Sequence, residues 1–202
     1  MTPTTIAGGR RERSKADKRA RILAAASAGL ERDGYDKMTM ASVAHAADVA
    51  AGTVFQYAAS KPELLMMVVA DRWRRDFPHV LEQADGHDDP VEAILALLEP
   101  FVTASAHDPA NTMAVARELL FGQDGVHRDA VLAEVDQLER RITDIIGADA
   151  PPEAARAAAR VVISAGLVEL NRARQGMDSW RPLPERLATL VSLALNGARA
   201  SR

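Results

Sequence analysis

The stretch Thr39-Met-Ala-Ser-Val-Ala-His-Ala-Ala-Asp-Val-Ala-Ala-Gly-Thr-Val-Phe-Gln-Tyr-Ala-Ala-Ser-Lys61 decides how the rest of the chain is organised. Thr39 precedes a short run with helical apolar spacing and predicts an N-cap, because its hydroxyl can accept a hydrogen bond from a first-turn N–H. Asp48 marks a corner, since aspartate adopts a left-handed backbone more readily than most residues. A second short helix follows, with Val54 facing the first. The pattern predicts two short helices that cross steeply.

The outward face of this unit carries residue types that suit contact with duplex DNA. Ala51 and Gly52 are small and stand at a helix start, where the backbone can approach a phosphate and free N–H groups attract an anion. Thr53 and Gln56 are best placed to touch base edges, and Lys61 at the start of the next helix suits a phosphate. The predicted DNA-contacting set is Thr39, Ala51, Gly52, Thr53, Phe55, Gln56, Tyr57 and Lys61.

Further motifs surround this unit at uninterrupted spacing: Ile22-Leu23-Ala24-Ala25, Gly34-Tyr35, Val43-Ala44, Gly52-Thr-Val-Phe-Gln-Tyr57 and Ser60-Lys-Pro-Glu-Leu-Leu65. With them, the segment from Arg21 to Leu65 resembles the N-terminal domain of TetR-type transcriptional regulators. The remainder resembles that family only in length and helical character. Three positions depart from the usual pattern of the family. Asp48 replaces a turn glycine, Ala50 replaces a serine cap typically worth about 1 kcal/mol, and Ala58 replaces an aromatic residue that packs beside the second helix.

The charge of the chain is divided unevenly between its two parts. The net charge of −3 combines +4 in residues 1–61, where ten Lys/Arg stand against six acids, with −7 in the remainder. A basic DNA-facing domain joined to an acidic regulatory body would show this asymmetry. The basic residues taken alone also fit a solvated tail.

Composition indicates a protein of the cell interior. The chain has no cysteine, which excludes disulfides and thiolate metal sites and agrees with a reducing compartment. No stretch reaches the roughly 18 uninterrupted apolar residues of a membrane span, and the N-terminus lacks the apolar core of a signal peptide. We therefore expect a cytoplasmic protein with no membrane partner.

The pattern of caps and apolar spacing predicts an all-α protein, with no strand pattern in competition. We expect a flexible basic arm over residues 1–13, a helix-turn-helix DNA-binding domain over 14–60 and a helical regulatory and dimerisation domain over 61–202. The first helix is expected over about 14–33, and a long helix should begin after Ser60 and end at Pro78. The remaining helices are predicted near 90–106, 109–121, 126–147, 151–175 and 182–199.

The regulatory part contains a kinked helix and a set of scattered large apolar residues. Pro100 should kink its helix and leave space beside it. Arg117 and Glu118 are the nearest charged groups that can orient a polar end of a ligand. Ordinary core packing is the alternative for each apolar residue, whereas the family resemblance implies a small-molecule inducer, which we expect to be largely apolar. The predicted ligand-binding set is Trp73, Phe77, Leu97, Phe101, Met113, Arg117 and Phe121.

The last two helices are apolar over more than one face, although packing within one domain needs only a stripe about 100° wide. The surplus predicts a second copy of the chain as partner, because closed two-fold dimers are the commonest oligomers. Burial within the same domain is the alternative, and the resemblance adds that TetR-type regulators commonly dimerise through these helices. The predicted interface comprises Val161, Val162, Ala165, Gly166, Leu187, Leu190, Val191 and Ala194.

These features predict a homodimeric, ligand-responsive transcriptional repressor that binds a double-stranded DNA operator. A helical ligand-binding or adaptor protein without a DNA function is the alternative, and a helical enzyme is a third. Five histidines are present, but no two are four residues apart as a helical metal clamp requires. We therefore expect no metal, no cofactor and no catalytic activity.

Overall fold

The computed structural model describes residues 6–177 and 181–201, and within them all regular structure is helical. None of these helices is long and apolar enough to cross a membrane. In chain order the helices are α1 (Ile6–Lys37), α2 (Met40–Ala46), α3 (Ala51–Tyr57), α4 (Lys61–Asp85), α5 (Pro90–His107), α6 (Pro109–Phe121), α7 (Val126–Gly147), α8 (Pro152–Arg174) and α9 (Leu183–Ala200).

Helix α1 begins at Ile6, which corrects the prediction that residues 1–13 form a flexible basic arm; residues 1–5 lie outside the described part. The arginines and glutamate of this segment are good helix formers, and extending an existing helix needs no new nucleation. Gly34 interrupts α1 with φ 76°, a left-handed conformation typical of a glycine after a helix end, and Tyr35 is then buried.

Helix α4 passes through Pro78 and ends at Asp85, so the predicted end at Pro78 is wrong. Proline removes one backbone donor from a helix interior, but buried residues beyond it can stabilise continuation. Here Val80 and Ala84 are buried in the body of the protein. The predicted bounds of the five later helices agree with the structure to within a residue, because each begins at a local proline, aspartate or glycine signal.

Two hydrophobic clusters divide the molecule along α4. The first joins α1, α2, α3 and the start of α4, with Ala114 of α6 and Val131 of α7 at its edge. The second joins the end of α4 to α5, α7, α8 and α9. Helix α4 supplies Leu64 to the first cluster and Phe77 to the second. A change in the tilt of α4 therefore displaces the two clusters relative to each other.

Candidate DNA-reading and ligand-binding sites

Helix α2 begins at a reciprocal cap. The Thr39 hydroxyl accepts a hydrogen bond from the Ser42 N–H at 3.0 Å, and the Ser42 hydroxyl accepts one from the Thr39 N–H, also at 3.0 Å. The N-cap role of Thr39 is confirmed. The returning bond was not predicted, because serine stands where the usual capping box has Glu or Gln.

The corner between α2 and α3 is fixed by a left-handed residue and by a cation from α1. Asp48 has φ 51°, as its residue type predicted, and the Val49 N–H donates to the Ala44 carbonyl at 3.0 Å. The Arg21 guanidinium donates to the Asp48 carbonyl at 3.3 Å and lies 3.6 Å from its carboxylate. Arg21 thus connects the basic face of α1 to the turn.

Helix α3 presents the outward face that the sequence predicted. Val54 is fully buried beneath it, whereas Phe55 is 50% exposed and Gln56 is also exposed. Ala51 and Gly52 are exposed at its start and Thr53 is half-buried. A Cβ added at Gly52 would meet no described atom within 4 Å, so packing within the protein does not require glycine there.

Two other members of the predicted DNA-contacting set are held by contacts within the chain. The Tyr57 hydroxyl donates to the Lys15 carbonyl at 2.9 Å. The Lys61 ammonium donates to the Asp36 carbonyl at 3.0 Å and lies 4.5 Å from the centroid of the Tyr35 ring. Tyr57 therefore connects α3 to α1, and Lys61 connects α4 to α1.

Burial raises the pKa of the Tyr35 phenol above its ordinary value, and the nearby Glu118 carboxylate raises it further. The phenol consequently stays neutral at physiological pH. Its ring offers a neutral face to the Lys61 ammonium, a favourable arrangement for a cation over an aromatic ring.

The end of α3 is attached to the start of α7. His127 Nε2 lies 2.8 Å from the Tyr57 carbonyl, and since a carbonyl only accepts, this nitrogen carries the hydrogen. The His127 N–H donates to the Glu63 carboxylate at 3.1 Å. Ala58, which replaces the usual aromatic residue, is buried. The His127 bond thus fixes the end of α3 next to Ala58, the position where that aromatic side chain is replaced by a methyl group.

The side chain of Glu63, three residues after the Ser60 cap, contacts α7. The Ser60 hydroxyl accepts from the Glu63 N–H at 3.2 Å, so the Ser60 cap is confirmed, but the Glu63 carboxylate turns towards α7. A Cβ added at Gly125 would lie 2.0 Å from this carboxylate, which explains why glycine precedes α7. Sequence reasoning missed His127 and Gly125 because their partner lies 62 or more positions away along the chain.

A cavity of about 330 Å³, hereafter the inner cavity, lies between α4 and α5 and is closed by α1 and α6. This is the place predicted beside the Pro100 kink. Trp73 and Phe101 meet edge to face across it, with ring centroids 5.0 Å apart, and Phe77 also lines it. Its other apolar lining residues are Leu30, Leu65, Val68, Val69, Val80, Pro100, Ala104 and Val115.

Four predicted lining residues lie elsewhere. Leu97 is fully buried in the second hydrophobic cluster, Met113 is half-buried outside the lining, and Phe121 is 79% exposed. Arg117 lies 5.8 Å from the Tyr35 ring and pairs with Glu118. For Met113, Arg117 and Phe121 the cause is the rotation of α6, whereas Leu97 lies on the face of α5 that packs into the second cluster. Each helical residue turns by about 100°, so a face carrying positions 108, 111, 112 and 115 inward directs these neighbours away.

The inner cavity also has a polar wall, whereas the predicted lining set was apolar apart from Arg117 and the tryptophan N–H. Its polar side chains are Glu31, Arg72, Asp76, His107, Asp108, Asn111 and Thr112. Asp108 with Asn111 and Thr112 has the spacing of a helix cap, and indeed Asp108 accepts from the Asn111 N–H at 3.0 Å. That local signal identified a helix start but did not indicate a cavity.

Asn111 joins this polar wall to the DNA-binding part of the chain. Its side-chain NH₂ donates to the Leu30 carbonyl at 3.0 Å and to the Asp108 carboxylate. Its side-chain oxygen accepts from the Tyr35 N–H at 2.6 Å. One amide from α6 therefore satisfies two backbone groups that become free where α1 is interrupted at Gly34.

Comparison with known proteins agrees with this arrangement. Residues 22–67 match the family described as "Bacterial regulatory proteins, tetR family". The chain is 30% identical over 190 residues to the HTH-type transcriptional repressor KstR of Rhodococcus jostii (strain RHA1), covering 91% of this chain and 85% of that one. The chain belongs to the TetR family. The expectation of a DNA-binding transcriptional regulator is thereby confirmed.

Solved structures share the TetR fold over most of the chain. A TetR transcriptional regulator from Rhodococcus sp. RHA1 superimposes with a TM-score of 0.71 at 21% identity, over 90% of this chain and 97% of that one. Thermus thermophilus FadR, a TetR-family repressor in complex with lauroyl-CoA, gives a TM-score of 0.69 at 22% identity, over 89% and 94%. At these identities the likeness concerns the fold.

The TetR-type body ends in α8 and α9, which pack on each other, while α8 also packs on α7 and α9 also packs on α5. Four members of the predicted dimer interface are buried within one protomer: Val162, Gly166, Leu187 and Val191. A Cβ added at Gly166 would lie 4.0 Å from Leu187, so the predicted close crossing is intramolecular. These four residues cannot reach a partner, and their part of the prediction is wrong.

Helices α8 and α9 also carry large aliphatic side chains that the protomer leaves exposed. Val161 and Val168 on α8 are each 55% exposed, and Leu193 on α9 is 64% exposed. The remaining predicted interface residues, Ala165, Leu190 and Ala194, are half-buried.

In the described part of the chain no three histidine, aspartate or glutamate side chains group as metal ligands would.

Proposed function

We propose that this TetR-family chain is a homodimeric repressor that binds duplex operator DNA through α3 and releases it when a small molecule with a large apolar part fills the inner cavity. The observation that carries the proposal is the position of α4. Its Lys61 end follows the DNA-reading unit, whereas Trp73 and Phe77 further along line the cavity. Repression is supported by the relation to KstR, a transcriptional repressor.

The proposed mechanism is geometric. Two recognition helices of a dimer must enter successive major grooves about 34 Å apart. A ligand between α4 and α5 tilts α4 and changes that separation, so both half-site contacts weaken together. The Asn111 bonds to Leu30 and Tyr35 provide a second connection from the cavity wall to the DNA-binding domain.

The wall of the inner cavity favours a ligand with an apolar body and one polar end. Its aromatic and aliphatic side chains offer contact surface, and its hydrogen-bonding groups are concentrated on α1, α4 and the start of α6. The lauroyl-CoA bound to the similarly folded Thermus protein has this division of character.

The dimer is proposed to form through the outward face of α8 and α9, defined by Val161, Val168 and Leu193. Three large aliphatic side chains more than half exposed on two adjacent helices form a patch that association would remove from water. The proposed two-fold axis passes through this patch in the direction that brings the two DNA-reading units to the same side of the assembly.

The proposed function is tested by selecting bound sequences from a random duplex pool and titrating the selected operator with the purified protein. We expect binding that falls steeply with salt concentration. Adding 1-dodecanol, an uncharged apolar probe, should then lower operator affinity. A protein that selects no sequence above non-specific binding would contradict the DNA function.

Replacing Gly52 with alanine should have opposite effects on folding and on DNA binding. Alanine in a helix is favoured over glycine by about 0.5–1 kcal/mol, and the site is open, so the free energy of unfolding should rise. Operator binding should weaken by about tenfold if the added methyl group separates the backbone from a phosphate. Thermal unfolding and operator titration measure the two effects; unchanged operator affinity would place Gly52 away from DNA.

Gln56 and Lys61 should affect DNA binding in different ways. Gln56→Ala should change the ranking of operator sequences, because the exposed amide is placed to read base edges. Lys61→Ala should weaken binding to all duplexes similarly and reduce the salt slope by about one. Titration of both variants against a small panel of duplexes separates the roles. An unchanged ranking for Gln56→Ala would remove it from the readout.

Phe101→Ala should reduce the response to 1-dodecanol by about tenfold. The substitution removes the ring that meets Trp73 and enlarges the cavity, so the probe loses apolar contact. The measurement is the probe concentration that halves operator binding. Phe121→Ala is the matched control, because Phe121 is exposed and lies outside the lining. Equal responses of the two variants would contradict this location of the ligand.

A further inference from the structure

A second depression, hereafter the outer groove, adjoins the inner cavity. It has a volume of about 580 Å³ and lies between α1 and α4. Glu31, Val68 and Arg72 line both spaces, so the two spaces adjoin at these side chains. On the α1 side the groove is bordered mainly by small residues: Ala16, Ala20, Ala24, Ser27 and Ala28.

The outer groove has more positive than negative charge. Its lining includes three arginines, Arg19, Arg72 and Arg75, but only two carboxylates, Glu31 and Asp71. Asp71 is shared, because the guanidiniums of Arg19 and Arg75 both lie 3.5 Å from it. A carboxylate that is shared between two guanidiniums leaves much of their hydrogen-bonding capacity unused, since each guanidinium has five N–H donors.

The ion pair at the junction of the two spaces is weakly held. Arg72 and Glu31 are 3.5 Å apart, with side chains 52% and 67% exposed. Strong charge-assisted hydrogen bonds are shorter, about 2.7–2.9 Å, and exposed pairs of this kind contribute little to stability. Glu31 is also shared with the Ser27 hydroxyl at 3.3 Å. Another anion can therefore replace Glu31 on Arg72.

We infer that the effector is an amphipathic anion, with its apolar chain in the inner cavity and its negatively charged head in the outer groove against Arg72, Arg19 and Arg75. This inference rests on the proposed function and adds the charge and position of the head. A ligand placed in this way contacts both α1 of the DNA-binding domain and α4. Its head therefore lies between the two helices whose relative position the proposed mechanism changes.

The inference is tested with laurate and 1-dodecanol, which share a twelve-carbon chain and differ in charge. Each probe is added to the full chain carrying Trp180→Phe, so that Trp73 is the tryptophan that remains. Fluorescence of Trp73, which lines the inner cavity, reports occupancy. Laurate should bind at least tenfold tighter than 1-dodecanol, and added salt should reduce this preference. Dodecyl phosphate in a third arm shows whether the head site prefers a carboxylate or a phosphate; tighter binding of either than of 1-dodecanol supports the inference.

Two substitutions should act on laurate in opposite directions. Arg72→Ala should weaken laurate binding about tenfold and Glu31→Gln should strengthen it, because the glutamine no longer competes for Arg72. Neither should change 1-dodecanol binding more than twofold. Arg140→Ala is the matched control, since Arg140 is an exposed arginine on α7 that lines neither space. A folding defect cannot produce gains and losses that are confined to the anion.

Equal binding of laurate and 1-dodecanol, or equal effects of Arg72→Ala on both, would overturn the anionic head site and leave the apolar cavity in place. If neither probe binds, and neither lowers operator affinity, the proposed ligand response itself is overturned together with this inference. The two failures are therefore distinguishable in one set of titrations.

Discussion

Replacing Val161 and Leu193 together with aspartate should yield a monomer that binds its operator about 10²- to 10⁴-fold more weakly than the native chain. Both side chains are more than half exposed in the protomer, so aspartate there meets water and the protomer should still fold. In the proposed dimer the same carboxylates would be buried without partners, which costs several kcal/mol for each ion. The large effect on DNA follows because a monomer engages one half-site only.

Sedimentation velocity and operator titration measure the two consequences. Gly166→Leu is the instructive comparison, since Gly166 faces Leu187 inside the protomer. Overpacking there should lower the free energy of unfolding by about 1–3 kcal/mol, and any loss of dimer should follow unfolding. A Val161/Leu193 variant that still sediments as a dimer would show that the chains associate through another surface.

The contrast between Val161 and Gly166 shows what the sequence could predict about α8. Apolar content over more than one face predicted a packing surface besides the one inside the domain, and the exposed Val161 is consistent with it. Periodicity did not indicate which surface faces the protomer's own α9, because both faces carry small or aliphatic residues. That choice depends on how α8 is rotated against α9, which is a contact between distant parts of the chain.

Helix boundaries were predictable because their causes are local. Ser60, Asp89 and Asp108 each cap a following helix within three residues, and such signals are legible in a short window. Pro78 was misleading for the same reason. Its local effect is to break a helix, but the burial of Val80 and Ala84 against the second cluster outweighs one missing hydrogen bond.

The candidate ligand site was predictable in position but only partly in its lining. The predicted space beside Pro100 agrees with the cavity between α4 and α5, which Pro100, Trp73, Phe77 and Phe101 line. The polar wall was missed because Asn111 acquires its role from Leu30 and Tyr35, whose positions lie 81 and 76 residues away. No short window contains both a donor and its acceptor at such separations.

Replacing Asn111 with leucine should loosen the connection between the cavity wall and α1. Leucine is of similar size but removes the acceptor of the Tyr35 N–H and the donor to the Leu30 carbonyl. A backbone group left without a partner costs about 1–3 kcal/mol when fully buried, and less here because the site is part-buried. We expect the free energy of unfolding to fall, operator affinity to fall about tenfold, and the remaining response to 1-dodecanol to shrink.

Hydrogen exchange at the Tyr35 amide isolates this role from a general loss of stability. The Tyr35 N–H should exchange faster in Asn111→Leu by more than amides at the centre of α7, because only the former loses its acceptor directly. Thr112→Val provides the matched control. Thr112 also lines the cavity, but its hydroxyl donates to the carbonyl of Asp108, the N-cap of its own helix, so this variant should leave Tyr35 exchange unchanged. Unchanged Tyr35 exchange in Asn111→Leu would mean that contacts of α4, and not Asn111, carry the signal to α1.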